Sequence, residues 1–248
     1  MPIEIIVQRR LYRQVADQLR HLFDAGEYTV GDRLPSERDL AERMGVSRPT
    51  IREALIALEV EGRVRIRVGS GIYVTEPPAA APQADADEGP FELLRAREFV
   101  EGAVAEEAAR HADADHIQRL DEILAEMDGR DLPSRQSIDL DRSFHVGVAS
   151  ILGNSALSRV VADLFDQRMN PYFERLSSYF EDRNTWKAAT AEHHAIRDAI
   201  VSGDPERARA AMQNHLRQSQ LRFSQSFGEI SADGEAPGLE TAVGGSSG

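Results

Sequence analysis

Residues 76–90 read EPPAAAPQADADEGP and contain no large apolar side chain. Three of the seven residues after Glu76 are proline. Such a segment has nothing to bury and runs extended as a linker. A chain of 248 residues interrupted there folds as two units, each long enough to bury a core. The patterns on the two sides differ. Residues 1–75 mix helical and strand-like periodicity, whereas helical periodicity runs almost unbroken from Phe91 to about Phe227. The polar, Gly-rich stretch 228–248, ending in GGSSG, is expected to be disordered. The predicted fold class is mainly α: a small helix-and-hairpin unit over 1–75, the linker, and an antiparallel helical bundle over 91–227.

Charge divides the chain at the same place. The first 75 residues hold 12 Arg against 11 Asp and Glu, so the whole acidic surplus behind the net −13 lies beyond them. A nearly neutral, arginine-rich front can contact phosphates, while an acidic back half stays off nucleic acid and favours solubility. There is no cysteine, which excludes disulfides and thiolate metal sites and suits a reducing compartment. No apolar run approaches the ~20 residues needed to cross a bilayer, and the start MPIEIIVQRR does not read as a secretory signal. A cytoplasmic location without membrane contact is expected.

In the front unit, Leu11, Val15, Leu19 and Leu22 recur at helical spacing. Ser36 and Asp39 give a reciprocal capping pattern at the start of a second, short helix that stops near Met44-Gly45. Ser47 caps a third, with Pro49 in its first turn, running through Ile51, Leu55 and Leu58 to Gly62. Two β-rich stretches, Arg63–Val68 and Ile72–Val74, flank a hairpin tip at Gly69-Ser70-Gly71.

Two helices joined by a tight Gly-containing turn, followed by a hairpin, form a winged helix-turn-helix. A recognition helix must present its first turn to the major groove, and here that turn carries Ser47, Arg48, Thr50 and Arg52. An arginine fork matches guanine O6 and N7, and hydroxyls and helix-start N–H groups suit phosphates. Arg38 can reach the backbone or a base from the preceding helix, and Arg65 and Arg67 flank the wing. The ordered run LPSERDLAERMGVSRPTIREALIALEVEGRVRIRVGSGIYV resembles the DNA-binding half of the GntR family. That resemblance implies operator contacts from Arg38, Arg48 and Arg52, and a wing tip, Gly69, Ser70 and Gly71, that enters the minor groove. Val68 stands where polar residues are common in the family.

The back half reads as about six helices: 91–112, 115–128, 135–152, 155–181, 185–202 and 204–226. Asp204 and Pro205 start the last of them. Asp141 and His145, at i and i+4, emerge from one helix face, and His193 and His215 lie on two later helices. A carboxylate and three imidazoles suit a divalent ion, with Zn, Ni or Mn all acceptable. ELLRAREFVEGAVAEEAARHA, DRSFHVGVASILGNSAL and EHHAIRDAIVSGDPERARAAMQNHL are similar to the effector domain of the FadR subfamily. Its metal-binding members carry an Asp-x3-His pair and two later histidines, which implies Asp141, His145, His193 and His215 here. His194 is the adjacent alternative, about 100° round the helix. Arg97 faces Glu101 at i+4. One reading is an exposed ion pair worth about a few tenths of a kcal/mol; the other, implied by the resemblance, is a clamp on an effector carboxylate. Asn154 stands where it can cap the fourth helix, and Trp186, Tyr172 and Tyr179 read as packing residues.

The expectation is a homodimeric DNA-binding repressor that binds double-stranded operator DNA and answers to a small carboxylate held at the metal site. A metal sensor without an organic effector and a metal-dependent enzyme are the alternatives. No HE-x-x-H or nucleophile motif supports the enzyme.

Overall fold

The structure, a computed structural model, describes residues 10–76, 89–130, 134–168 and 170–224. Most of the expected linker and the whole expected tail lie outside the described residues. Among these residues no helix is long and apolar enough to cross a membrane.

The front unit runs α1 (Leu11–Asp24), α2 (Glu37–Met44), α3 (Arg48–Val60), β1 (Val64–Arg67) and β2 (Gly71–Val74). The caps fall where the sequence places them. The Ser36 side chain accepts the Asp39 N–H, and Ser47 accepts the Thr50 N–H. Gly45 ends α2 at φ +66°, a left-handed conformation that L side chains rarely adopt, and so sets the tight turn between the two helices. Val15, Leu19, Leu40, Ile51, Leu55 and Leu58 are buried together. The strands pair antiparallel in the register Val64↔Val74 and Ile66↔Ile72, which puts those four side chains into the same core. Arg65 and Arg67 alternate outward, and Arg67 lies over the Tyr73 ring.

The back unit is α4 (Pro90–His111), α5 (Ala114–Asp128), α6 (Arg135–Ser150), α7 (Ser155–Asp166), α8 (Pro171–Phe180), α9 (Arg183–Val201) and α10 (Pro205–Ser224). Long helices with short connections form the expected bundle, with α10 lying along α4 and α9. Asn154 caps α7 by accepting two N–H groups, and Asp204 accepts the Arg207 N–H at the start of α10. One expected helix, 155–181, is two. Asn170 accepts the Phe173 N–H as a new N-cap, and Pro171 stands at the first position of α8. Proline cannot supply an interior N–H and its ring clashes with the preceding turn, so the chain restarts there. Apolar periodicity on both sides of the break conceals it.

The two units touch. The Tyr172 hydroxyl of α8 donates to the Glu53 carbonyl of α3. Arg175 donates to both Glu59 carboxylate oxygens at 3.0 Å, and the Tyr179 hydroxyl donates to the same carboxylate at 2.7 Å. Tyr172 and Tyr179 therefore pack, as expected, but against the winged helix. At Gly89, just before α4, an added Cβ would meet the Glu53 carboxylate, which would have to move aside.

Candidate functional site

Six buried side chains from four helices converge inside the bundle. Arg97 and Glu101 come from α4, Asp141 and His145 from α6, His193 from α9 and His215 from α10. Asp141 and the three histidines each offer one ligand atom, and these atoms all lie within 4.8 Å of one another. Asp141 Oδ1 is 3.3 Å from His145 Nε2 and 3.1 Å from His193 Nε2. The two Nε2 atoms are themselves 3.3 Å apart. Asp141 Oδ1 is buried without a directed hydrogen bond. Buried oxygen and nitrogen atoms that converge on one point fit a divalent ion.

Further carboxylates orient the rings. His215 Nδ1 bonds Glu192 Oε2 at 2.8 Å, and Arg222 holds Glu192 in turn at 2.9 Å. His145 Nδ1 abuts Glu101 Oε2. Both rings thereby keep Nε2 for the cluster, the arrangement that fixes tautomer and orientation at histidine-ligated metals. His194 instead points outward to Asp128, so His193 is the member of the pair that joins the cluster.

Electrostatics follow burial and neighbours. Burial holds His193 below its usual value, and burial with the adjacent His193 and His145 rings holds His215 well below it. Both are therefore neutral imidazoles, the form that ligates. Burial would raise Asp141, but the His145 and His193 rings and Arg168 outweigh it and keep the carboxylate well below its usual range. Burial would likewise raise Glu101, yet Arg97 and His145 hold it down at about 2. For His145, the Glu101 carboxylate outweighs burial and lifts the ring.

Arg97 is 1% exposed, which removes the reading of a surface ion pair. Its Nε donates to Glu101 Oε1 at 2.6 Å, and its guanidinium lies 4.5 Å from the Phe165 ring centroid. One terminal nitrogen, NH2, is buried with no hydrogen-bond partner. Beside the cluster, Asp141, His215, Trp186, Arg168 and Phe223 line a cavity of about 40 Å³, room for a few waters. Trp186 is thus a wall of this space as well as a packing residue.

The DNA-reading residues divide. Arg38, Ser47 and the wing tip Gly69 and Ser70 are exposed, and Arg48, Thr50 and Gly71 are half-buried. Arg52 corrects the expectation. It is 0% exposed, its fork closes on Glu37 at 2.7 and 2.8 Å, and NH1 donates to the Phe223 carbonyl of α10 at 2.5 Å. In this conformation Arg52 reaches no base. Although it lies one turn after Arg48 on the same helix, Arg52 is drawn inward by the Glu37 carboxylate and the end of α10. The sequence reading also missed Glu192 and Arg168. Glu192 had a signal, since it precedes His193 directly. Arg168 had none.

Residues 11–74 match the family described as bacterial regulatory proteins, gntR family, and residues 92–218 match the FCD domain. The Exu regulon transcriptional regulator of Escherichia coli K12 is 38% identical over 242 residues, covering 94% of this chain and 91% of that protein. The Uxu operon transcriptional regulator of the same organism is 35% identical and covers 87% and 89%. Among solved structures, Streptococcus agalactiae GntR is 26% identical with a TM-score of 0.45, covering 85% of this chain and 99% of that one. The chain belongs to the GntR family, in the branch that carries an FCD effector domain behind its winged helix-turn-helix, and is a transcriptional regulator rather than an enzyme.

Proposed function

We propose that this protein is a cytoplasmic repressor whose grip on its operator is controlled by a small carboxylate bound at a divalent ion. Residues 1–75 are the reader, 76–90 the linker and 91–227 the effector and dimerisation unit. The ion, Zn, Ni or Mn, is held by Asp141, His145, His193 and His215. It supplies positive charge for which an anion in a dry site has strong attraction. Arg97 takes the other end of the effector. The observation that carries this reading is the unpartnered terminal nitrogen of Arg97, buried beside four convergent ligand atoms. A buried guanidinium N–H without an acceptor is costly, and a carboxylate supplies that acceptor.

At the DNA, Arg38, Ser47, Arg48 and Thr50 face the major groove and its phosphates, and Gly69, Ser70 and Gly71 form the wing tip. A single recognition helix reads too few bases for selectivity, so a homodimer on a two-fold operator follows. Phe99, 60% exposed on α4, offers apolar surface for a second copy to cover.

The test joins elemental analysis to titration. Protein purified without chelator or nickel column is expected to hold about one divalent ion per chain. Small carboxylates are then titrated against the protein–operator complex of wild type and Arg97→Ala. Release from wild type and not from the variant supports the reading. Equal release from both removes Arg97, and release by chelation alone, with no carboxylate active, favours a metal sensor.

A further inference from the structure

Two cavities share one arginine in their lining. The inner one is the 40 Å³ space against Asp141 and His215. The outer one, about 570 Å³, is lined by Ser134, Arg135, Phe173 and Ser178. Ile138, Arg168 and Glu181 line both. The Arg168 guanidinium sits between the Phe165 and Phe173 rings, 5.2 and 5.0 Å from their centroids. It donates NH1 to Asp141 Oδ2 at 2.7 Å and NH2 to Glu181 Oε1 at 3.1 Å. Two acids and two rings thus hold a plug of positive charge between the outer space and the cluster.

The same arginine is tied to both ends of α8. The chain enters that helix just after Arg168, and Glu181 follows its last residue, Phe180. Tyr172, Arg175 and Tyr179 of α8 make the contacts with Glu53 and Glu59 of α3 already described. We propose that Arg168 and Glu181 are a gate between the outer cavity and the buried cluster, and that α8 is the lever by which opening this gate loosens the hold on the recognition helix.

The physical case is short. Nothing larger than a few waters fits the inner space while Arg168 lies across it. Displacing Arg168 breaks its charge-assisted bonds to Asp141 and Glu181, which are the strong kind, and frees the segments at both ends of α8. A short, well-formed helix shifts as a unit, and packed contacts respond in discrete steps rather than by bending. The bidentate Arg175–Glu59 pair and the Tyr179 bond are directional, so such a shift cannot preserve them all. What passes the gate rests on the effector reading above; the lever does not.

Hydrogen exchange on the full chain, with no ligand added, tests the lever. Glu181→Gln is expected to speed amide exchange in both α8 and α3, each by roughly tenfold for the loss of one charged hydrogen bond. Lys187→Gln, an exposed change on α9, is expected to alter neither. Adding Glu181→Gln to Arg175→Gln should then speed α3 by less than it does in the wild-type background, because one of the transmitting contacts is already broken. Faster exchange confined to α8, no change in either helix, or a fully additive double variant overturns the lever. For the gate, protein loaded with Ni²⁺ is mixed with excess chelator. Glu181→Gln is expected to release the ion about tenfold faster from an unchanged amount bound, and an unchanged rate overturns the gate. Protein that takes up no Ni²⁺ overturns the metal reading instead, and the exchange data then decide the lever alone.

Discussion

Among the described residues two arginine–glutamate pairs are buried, one in each unit, and they differ in how completely they are satisfied. Arg52 places two nitrogens on Glu37 and a third on the Phe223 carbonyl. Arg97 places Nε on Glu101, leaves NH2 without a partner and shares Glu101 with His145. The first pair is closed and joins parts of the fold that must stay together. The second leaves one terminal nitrogen open and shares its glutamate with the histidine cluster. Burial of a charged pair is therefore not in itself a sign of function; the unfilled valence beside it is. A buried donor with no acceptor costs stability, and each one in a native fold calls for an explanation, a bound water, ion or ligand among them.

The largest effect expected from this contrast is structural. Arg52→Met strands the Glu37 carboxylate in the core and should lower stability by ~3–5 kcal/mol, read from urea unfolding. A loss below ~1 kcal/mol would break the comparison, because the closed pair would then not be holding the fold. Arg48, one turn earlier on the same helix, should behave in the opposite way. Arg48→Ala is expected to weaken operator binding by ~1–3 kcal/mol if its fork reads a guanine, with the unfolding midpoint unchanged. Arg97→Met should cost roughly 1–2 kcal/mol of stability, less than Arg52→Met, because Glu101 keeps His145. The same variant should lose the carboxylate response in operator-release assays, and a variant that keeps that response would close the open pair as an explanation.

The smallest effect concerns Glu53, where α3 meets α8 and the start of α4. Burial raises its carboxyl to about 7, against partial relief from the Phe91 N–H and Arg10. A raised value means that the protonated form suits the folded state. Its stabilising contribution is thus complete below the ordinary 4.5 and lost as pH rises through about 7. Glu53→Gln should flatten stability across that window and gain stability above it. Parallel pH profiles in wild type and variant would show that Glu53 is solvated in solution.

Local chemistry was legible in the sequence, and long-range pairing was not. Ser36, Ser47, Asn154 and Asp204 cap the helices they were expected to cap, because a cap is settled by its own neighbours within three residues. Asp141 and His145 share a face because i and i+4 do so on any helix. That His193 joins them and His194 does not depends on which side of α9 the bundle covers, and the resemblance supplied it where periodicity could not. The inward turn of Arg52 depends on Glu37, fifteen residues earlier, and on a carbonyl of the last helix. The partnership of Arg168 with Asp141 spans 27 residues. A buried and an exposed arginine look alike in a helical pattern. The Asn170-Pro171 break was in plain view by its capping chemistry, but the apolar run through it won the reading.

The 40 Å³ chamber has a consequence for how affinity will be measured. A protein that is competent to bind only in a fraction of its molecules shows an apparent dissociation constant equal to the intrinsic one divided by that fraction. A chamber open in about one molecule in a hundred makes an effector look about a hundredfold weaker than its contacts warrant. Substitutions far from any ligand atom that favour the open population then sharpen sensitivity without a single new contact. Selection can therefore set the effector concentration at which such a regulator responds by tuning the closure, while Asp141, the three histidines and Arg97 stay fixed.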